Sequence, residues 1–147
     1  MDAYQIAQDF LDRQGDATVA GDVVATMGFC DLPCTLETMD RVTVAKTEAE
    51  MRAICEGFIH QLRSQQVTHM VRTCQEAVLK SDDTLWATYV TRLVCDGKHL
   101  NEPSYGAFVI LKLRDGVWKI STMQFAITRD NCVNLTLRDF AAKYETV

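Results

Sequence analysis

Proline is scarce, with only 2 in 147 residues, and the chain contains no internal repeat, low-complexity tract or linker-like stretch. That excludes a modular or repeat architecture. The length reads as one domain, 1–147, large enough to bury a core of its own. Long apolar runs are also missing, and no window approaches the roughly 20 residues of a membrane-spanning helix. The opening MDAYQIAQDF lacks the basic-then-apolar order of a secretory signal. These absences predict no membrane partner and a cytoplasmic address. Positive charge is in short supply as well. Lys and Arg number 15 against 20 Asp and Glu, for a net charge of −5, and no basic stripe forms. Nucleic acid and anionic membrane surfaces are therefore excluded as main partners. Cysteines are present, 6 in all, and without export they should stay thiols. Cys55, Cys74 and Cys95 sit in apolar patterns and read as small core residues. Cys30 and Cys34 flank DLP with no His or second Cys pair nearby, whereas a structural zinc site needs four ligands. No metal and no cofactor is expected.

The remaining pattern is helices first, strands after. Residues 3–13 place Ile6, Phe10 and Leu11 on one helical stripe, with Gly15 as the stop. Asp16 suits the N-cap of a second helix reaching Met27. Pro33 ends the helical pattern and opens a short strand at 34–38, followed by another in RVTVA, 41–45. Thr47 and Glu50 have capping-box spacing. Behind them Met51, Ile54, Cys55, Phe58, Ile59 and Leu62 form a sustained apolar stripe. The period then changes to two, predicting strands near 67–79, 84–95, 105–114 and 117–127. They are joined by KSDD, by DGKHLNEPS and by Asp115-Gly116, a hairpin signal. Residues 134–145 close the chain as a short helix. Helices followed by a meander of long strands imply an α+β arrangement with the helices on one sheet face.

This order resembles the nuclear-transport-factor-2-like superfamily, which includes ketosteroid isomerases and polyketide cyclase-like proteins. The resemblance rests on AGDVVATMGFCDLPCTLE, TEAEMRAICEGFIHQL, WATYVTRLVCDGKHL and LKLRDGVWKIS. It covers about residues 3–127, leaving 128–147 as a C-terminal tail. It implies N-terminal helices packed in the concave face of a curved, mainly antiparallel sheet, a cone-shaped α+β barrel. It also implies a pocket between the layers and frequent dimerisation. Fold alone does not settle chemistry. The isomerases' helix-1 tyrosine falls near Phe10 and their oxyanion acid near Val109, and neither residue donates a hydrogen bond. Their base falls near Glu37 or Thr38, so a carboxylate is available there.

Two residues are thus weak catalytic candidates: Glu37, if burial raises its pKa, and His69 on the first long strand. Strand alternation groups His69 with Val71 and Thr73, opposite Met70, Arg72 and Cys74, and leaves open which set faces inward. On the next strand the resemblance turns Tyr89 and Thr91 toward the pocket, with Met27, Phe58, Met123 and Phe125 as apolar lining. Trp86, Val90 and Val94 then share the outer face, beside Phe108 and Ile110. A half-exposed antiparallel sheet should be polar there. These residues predict cover by a second subunit or, alternatively, by the 134–145 tail. The functional expectation is a homodimeric small-molecule-binding protein with an apolar pocket for a hydrophobic ligand and no recognisable catalytic set. The alternative is a cofactor-independent isomerase, dehydratase or cyclase using Glu37 or His69 as base.

Overall fold

The computed structural model describes residues 1–96, 98–99, 103–128 and 130–145. Helix α1 (Ala3–Val19) is closed at its start by a capping box, in which the Asp2 carboxylate accepts from the Gln5 N–H and the Gln5 side chain returns the bond. The sequence predicts a stop at Gly15, but Gly15 lies buried inside the helix. The chain turns only at Gly21, where φ is +78° and the missing Cβ removes the steric cost. Asp22, not Asp16, caps α2 (Val23–Gly28), accepting from the Ala25 N–H. This helix is therefore much shorter than the expected 16–27 span.

Strand β1 (Cys30–Glu37) begins before Pro33 rather than after it. Its register against β7 (Val117–Phe125) shifts between Cys30 and Thr35, the kind of irregular stretch where a proline in a strand is tolerated. Strand β2 (Val42–Ala45) pairs antiparallel with β1 and leads to α3 (Glu48–Ser64). Thr47 Oγ1 accepts from the Glu50 N–H at 3.1 Å, while the Glu50 carboxylate accepts from the N–H of Lys46, one residue earlier than a standard capping box. Three long strands follow: β3 (His69–Ser81), β4 (Thr84–Cys95) and β6 (Tyr105–Arg114), with the short β5 (Lys98–His99) pairing β4. The DGKHLNEPS connection lies partly outside the described residues. Asp115 and Gly116 both have positive φ, +51° and +79°, the type I′ geometry that a two-residue hairpin favours.

The sheet order is β2-β1-β7-β6-β4-β3, and among the described residues only β1 and β7 pair parallel. It is curved and unclosed. Helix α1 lies on β3, α3 packs on α2 and α4 (Cys132–Tyr144), and the main core fills the space between helices and sheet. Along β4, Leu85, Ala87, Tyr89, Thr91 and Leu93 are buried, and the alternate residues face outward. Cys55 and Cys74 are buried, while Cys95 is only half-buried near the end of β4.

Helix α4 starts at Cys132, capped by Asn131. Because it packs against α3, the tail does not cover the outer sheet face. There Trp86 remains 39% exposed. Its ring lies edge-on to Phe108, with centroids 5.6 Å apart, and the Lys80 ammonium sits 4.5 Å above it. Among the described residues no helix is long and apolar enough to cross a membrane.

Candidate functional site

A cavity opens between the two layers, with about 90 Å³ of room for the centres of water-sized molecules, several times the minimum for one water. The sheet contributes Tyr89, Thr91, Tyr105, Met123 and Phe125, and α3 contributes Met51, Ile54, Cys55 and Phe58. Helix α4 closes one side with Val133, Thr136 and Leu137. Of the expected lining, Phe58, Tyr89, Thr91, Met123 and Phe125 meet here. Met27 does not. In the short α2 it is Thr26 that turns inward, its hydroxyl 3.3 Å from that of Thr18, while Met27 packs half-buried against the core.

The wall carries one group that sequence reasoning passed over. Arg72 alternates with Met70 and Cys74, and this is the set of β3 that faces inward. Its guanidinium, on a residue only 7% exposed, donates from Nη2 to the Leu11 carbonyl and to Gln14 Oε1, each at 2.5 Å. Its Nε is buried without a partner. Burial lowers the Arg72 pKa, opposed first by the neighbouring Tyr89 and then by Tyr105, yet a guanidinium stays charged in proteins. The Tyr89 ring lies 5.8 Å from the guanidinium carbon. Its hydroxyl, which adjoins the Arg72 guanidinium, donates to Met123 Sδ at 3.8 Å, a weak acceptor. Burial raises the Tyr89 pKa, with Arg72 pulling against it; the phenol is neutral at pH 7.

No protein-family model matches the chain, and no curated protein does. Solved structures do match. A protein of unknown function from Shewanella oneidensis, described as NTF-2 like, aligns with TM-score 0.66 over 84% of this chain and 98% of its own, at 14% identity. A domain of unknown function with a cystatin-like fold from Nostoc punctiforme aligns with TM-score 0.65 over 92% and 83%, at 13% identity. A ketosteroid isomerase-like protein from Erwinia carotovora atroseptica gives TM-score 0.62 over 86% and 97%, at 15% identity. The chain has the nuclear-transport-factor-2-like fold.

Within the nuclear-transport-factor-2-like frame, neither acid–base candidate lies at the cavity. Glu37 alternates with the buried Leu36 and faces the other way, where its Oε2 accepts from Gln124 Nε2 at 3.0 Å. His69 is exposed on the outward set of β3, its Nδ1 2.9 Å from Thr68 Oγ1. Phe10 and Val109 are buried at 1% and 0% exposure, and both lack a donor. Two thiols do reach the cavity, Cys30 and Cys55. The hydrogen bond between Cys30 and Cys34 pushes the Cys30 pKa well up, and burial adds to it. Cys55 is raised by its bond to Cys30 and by burial. Both stay protonated at neutral pH, and a neutral buried thiol is a poor nucleophile.

Proposed function

We propose that this protein binds a small, largely apolar molecule in the cavity of its nuclear-transport-factor-2-like fold and performs no chemistry on it. The observation that carries the reading is the cavity itself: an apolar lining from sheet and helices into which only a few polar groups converge, the usual build of a small-molecule site. The absence of chemistry is supported by where the titratable groups lie. Glu37 and His69 point away from the cavity, and the thiols that line it are held neutral. Steroid isomerisation is disfavoured because Phe10 and Val109 stand where that reaction needs hydrogen-bond donors to its oxyanion. The protein acts in the cytoplasm as a homodimer, with Trp86, Val90, Val94, Phe108 and Ile110 of one outer sheet face against the same face of its partner.

A thermal-shift screen of small aromatic and aliphatic compounds tests the binding. A ligand at 100 times its Kd stabilises the folded state by about 2.7 kcal/mol. Val133→Phe, which enlarges a lining side chain, should abolish the shift. A screen with no stabilising compound, or shifts that survive Val133→Phe unchanged, would refute the reading.

A further inference from the structure

The cavity wall holds a cation without an anion. Among the described residues no Asp or Glu forms an ion pair with Arg72. The acceptors around it, the Leu11 carbonyl, the Gln14 amide oxygen and the adjoining Tyr89 hydroxyl, are all neutral, and its buried Nε has no acceptor in good hydrogen-bond geometry. Asp12, an exposed residue of α1, exerts the weakest of the electrostatic effects on it. Taking a guanidinium out of water without a counter-ion costs several kcal/mol, so a buried charge is ordinarily paired.

The surroundings hold that charge in place. Gly15 leaves a slot in α1, since a Cβ there would stand 3.2 Å from Arg72 Nη2. The Gln8 amide grips the exposed edge of β3 on both sides of the next residue. Its Nε2 donates to the Arg72 carbonyl and its Oε1 accepts from the Cys74 N–H, each at 2.8 Å. Two side chains of α1, Gln8 and Gln14, together with the Leu11 carbonyl and the slot at Gly15, thus fix one arginine against a cavity whose remaining walls are mostly apolar.

Building on the small-molecule reading, we propose that the ligand is a monocarboxylate with a compact apolar body. Its carboxylate pairs with the Arg72 guanidinium and accepts from the Tyr89 hydroxyl, which exchanges the Met123 sulfur for a stronger acceptor. The body lies against Met123, Phe125 and Phe58. A planar carboxylate matches the N–H fork of a guanidinium. One cation neutralises one carboxylate, whereas a phosphate dianion would leave a net negative charge buried in an apolar space.

The test uses the intact protein with 13C-labelled methionine methyls, because Met51, Met70 and Met123 line the cavity and sense the ring current of an aromatic guest. The probes are benzoate, benzamide and toluene, similar in shape and different in charge. Benzoate should bind at least about tenfold more tightly than benzamide, and Tyr89→Phe should weaken benzoate several-fold while leaving toluene unchanged. Arg72→Met should erase the preference for benzoate, and Arg72→Lys should keep part of it. Should Arg72→Met fail to fold, the wild-type comparison of the three probes still decides the matter. Equal affinity for benzoate and benzamide overturns the carboxylate assignment and leaves the pocket reading intact. No response to any probe at millimolar concentration overturns both.

Discussion

Replacing Arg72 by methionine separates a binding residue from a structural one. The change removes a guanidinium from a site only 7% exposed and puts a flexible apolar chain against Met70, Tyr89 and Met123. Two hydrogen bonds disappear, those to the Leu11 carbonyl and Gln14 Oε1. Leu11 lies within α1, where its carbonyl keeps an intrahelical partner to accept, so the lasting deficit is the Gln14 amide, about 1–3 kcal/mol if left unsatisfied. Against this stands the desolvation of an unpaired cation, several kcal/mol even after relaxation. Even exchange of a complete buried ion pair for apolar side chains of similar volume is often neutral or stabilising by about 1–4 kcal/mol. Here no counter-ion is left behind, so the ligand-free protein should gain about 1–2 kcal/mol. Urea denaturation at pH 7 reads this as a higher midpoint at unchanged slope. A loss of 2 kcal/mol or more would refute the reasoning, because Arg72 would then be a keystone of the α1–β3 junction and not a charge kept for a ligand.

Thr47→Ala should cost about 0.5–2 kcal/mol through loss of the cap on α3, and an unchanged denaturation midpoint would count against it. Trp86→Glu places a charge on the outer sheet face and should shift a homodimer toward monomer in sedimentation at tens of micromolar. A wild-type monomer under those conditions would remove the dimer proposal. Stability should fall as pH rises above 9. Folding raises the pKa of Cys30 and Cys55 above the ordinary 9.0, so only the unfolded chain releases these protons and alkaline pH favours unfolding. Each thiol contributes about 1 kcal/mol between pH 9 and 10, where the unfolded thiol passes through its pKa, rising toward about 1.4 kcal/mol per pH unit above that. Cys30→Ala with Cys55→Ala should flatten the slope measured between pH 9 and 10.

Much of the fold can be read from the sequence because its strongest signals are local. The apolar stripe of α3, the alternation along β4 and the Asp115-Gly116 turn each depend on residues a few positions apart. Gly15 misleads for the opposite reason. Glycine in a helical pattern ordinarily marks an end, but here its missing Cβ makes room for a side chain 57 positions away in sequence, as the numbering of Gly15 and Arg72 gives. The same long-range contact decides which face of β3 is inward, and alternation by itself is symmetric. An arginine sharing a face with Met70 and Cys74 was the available signal, a charge in an apolar set, and it acquires meaning once α1 is placed across the strand. Met27 fails as a lining residue because a turn at Gly21 resets the helical phase of α2. The contribution of α4 to the cavity was invisible because it depends on packing against α3, which no local pattern encodes.

The most direct measurement is a crystal structure grown with benzoate. The expected result is ring density in the cavity against Met123 and Phe125, with the carboxylate in hydrogen-bond contact with the Arg72 guanidinium. A cavity closed by collapsed side chains, or one left without benzoate at saturating concentration, would contradict the account.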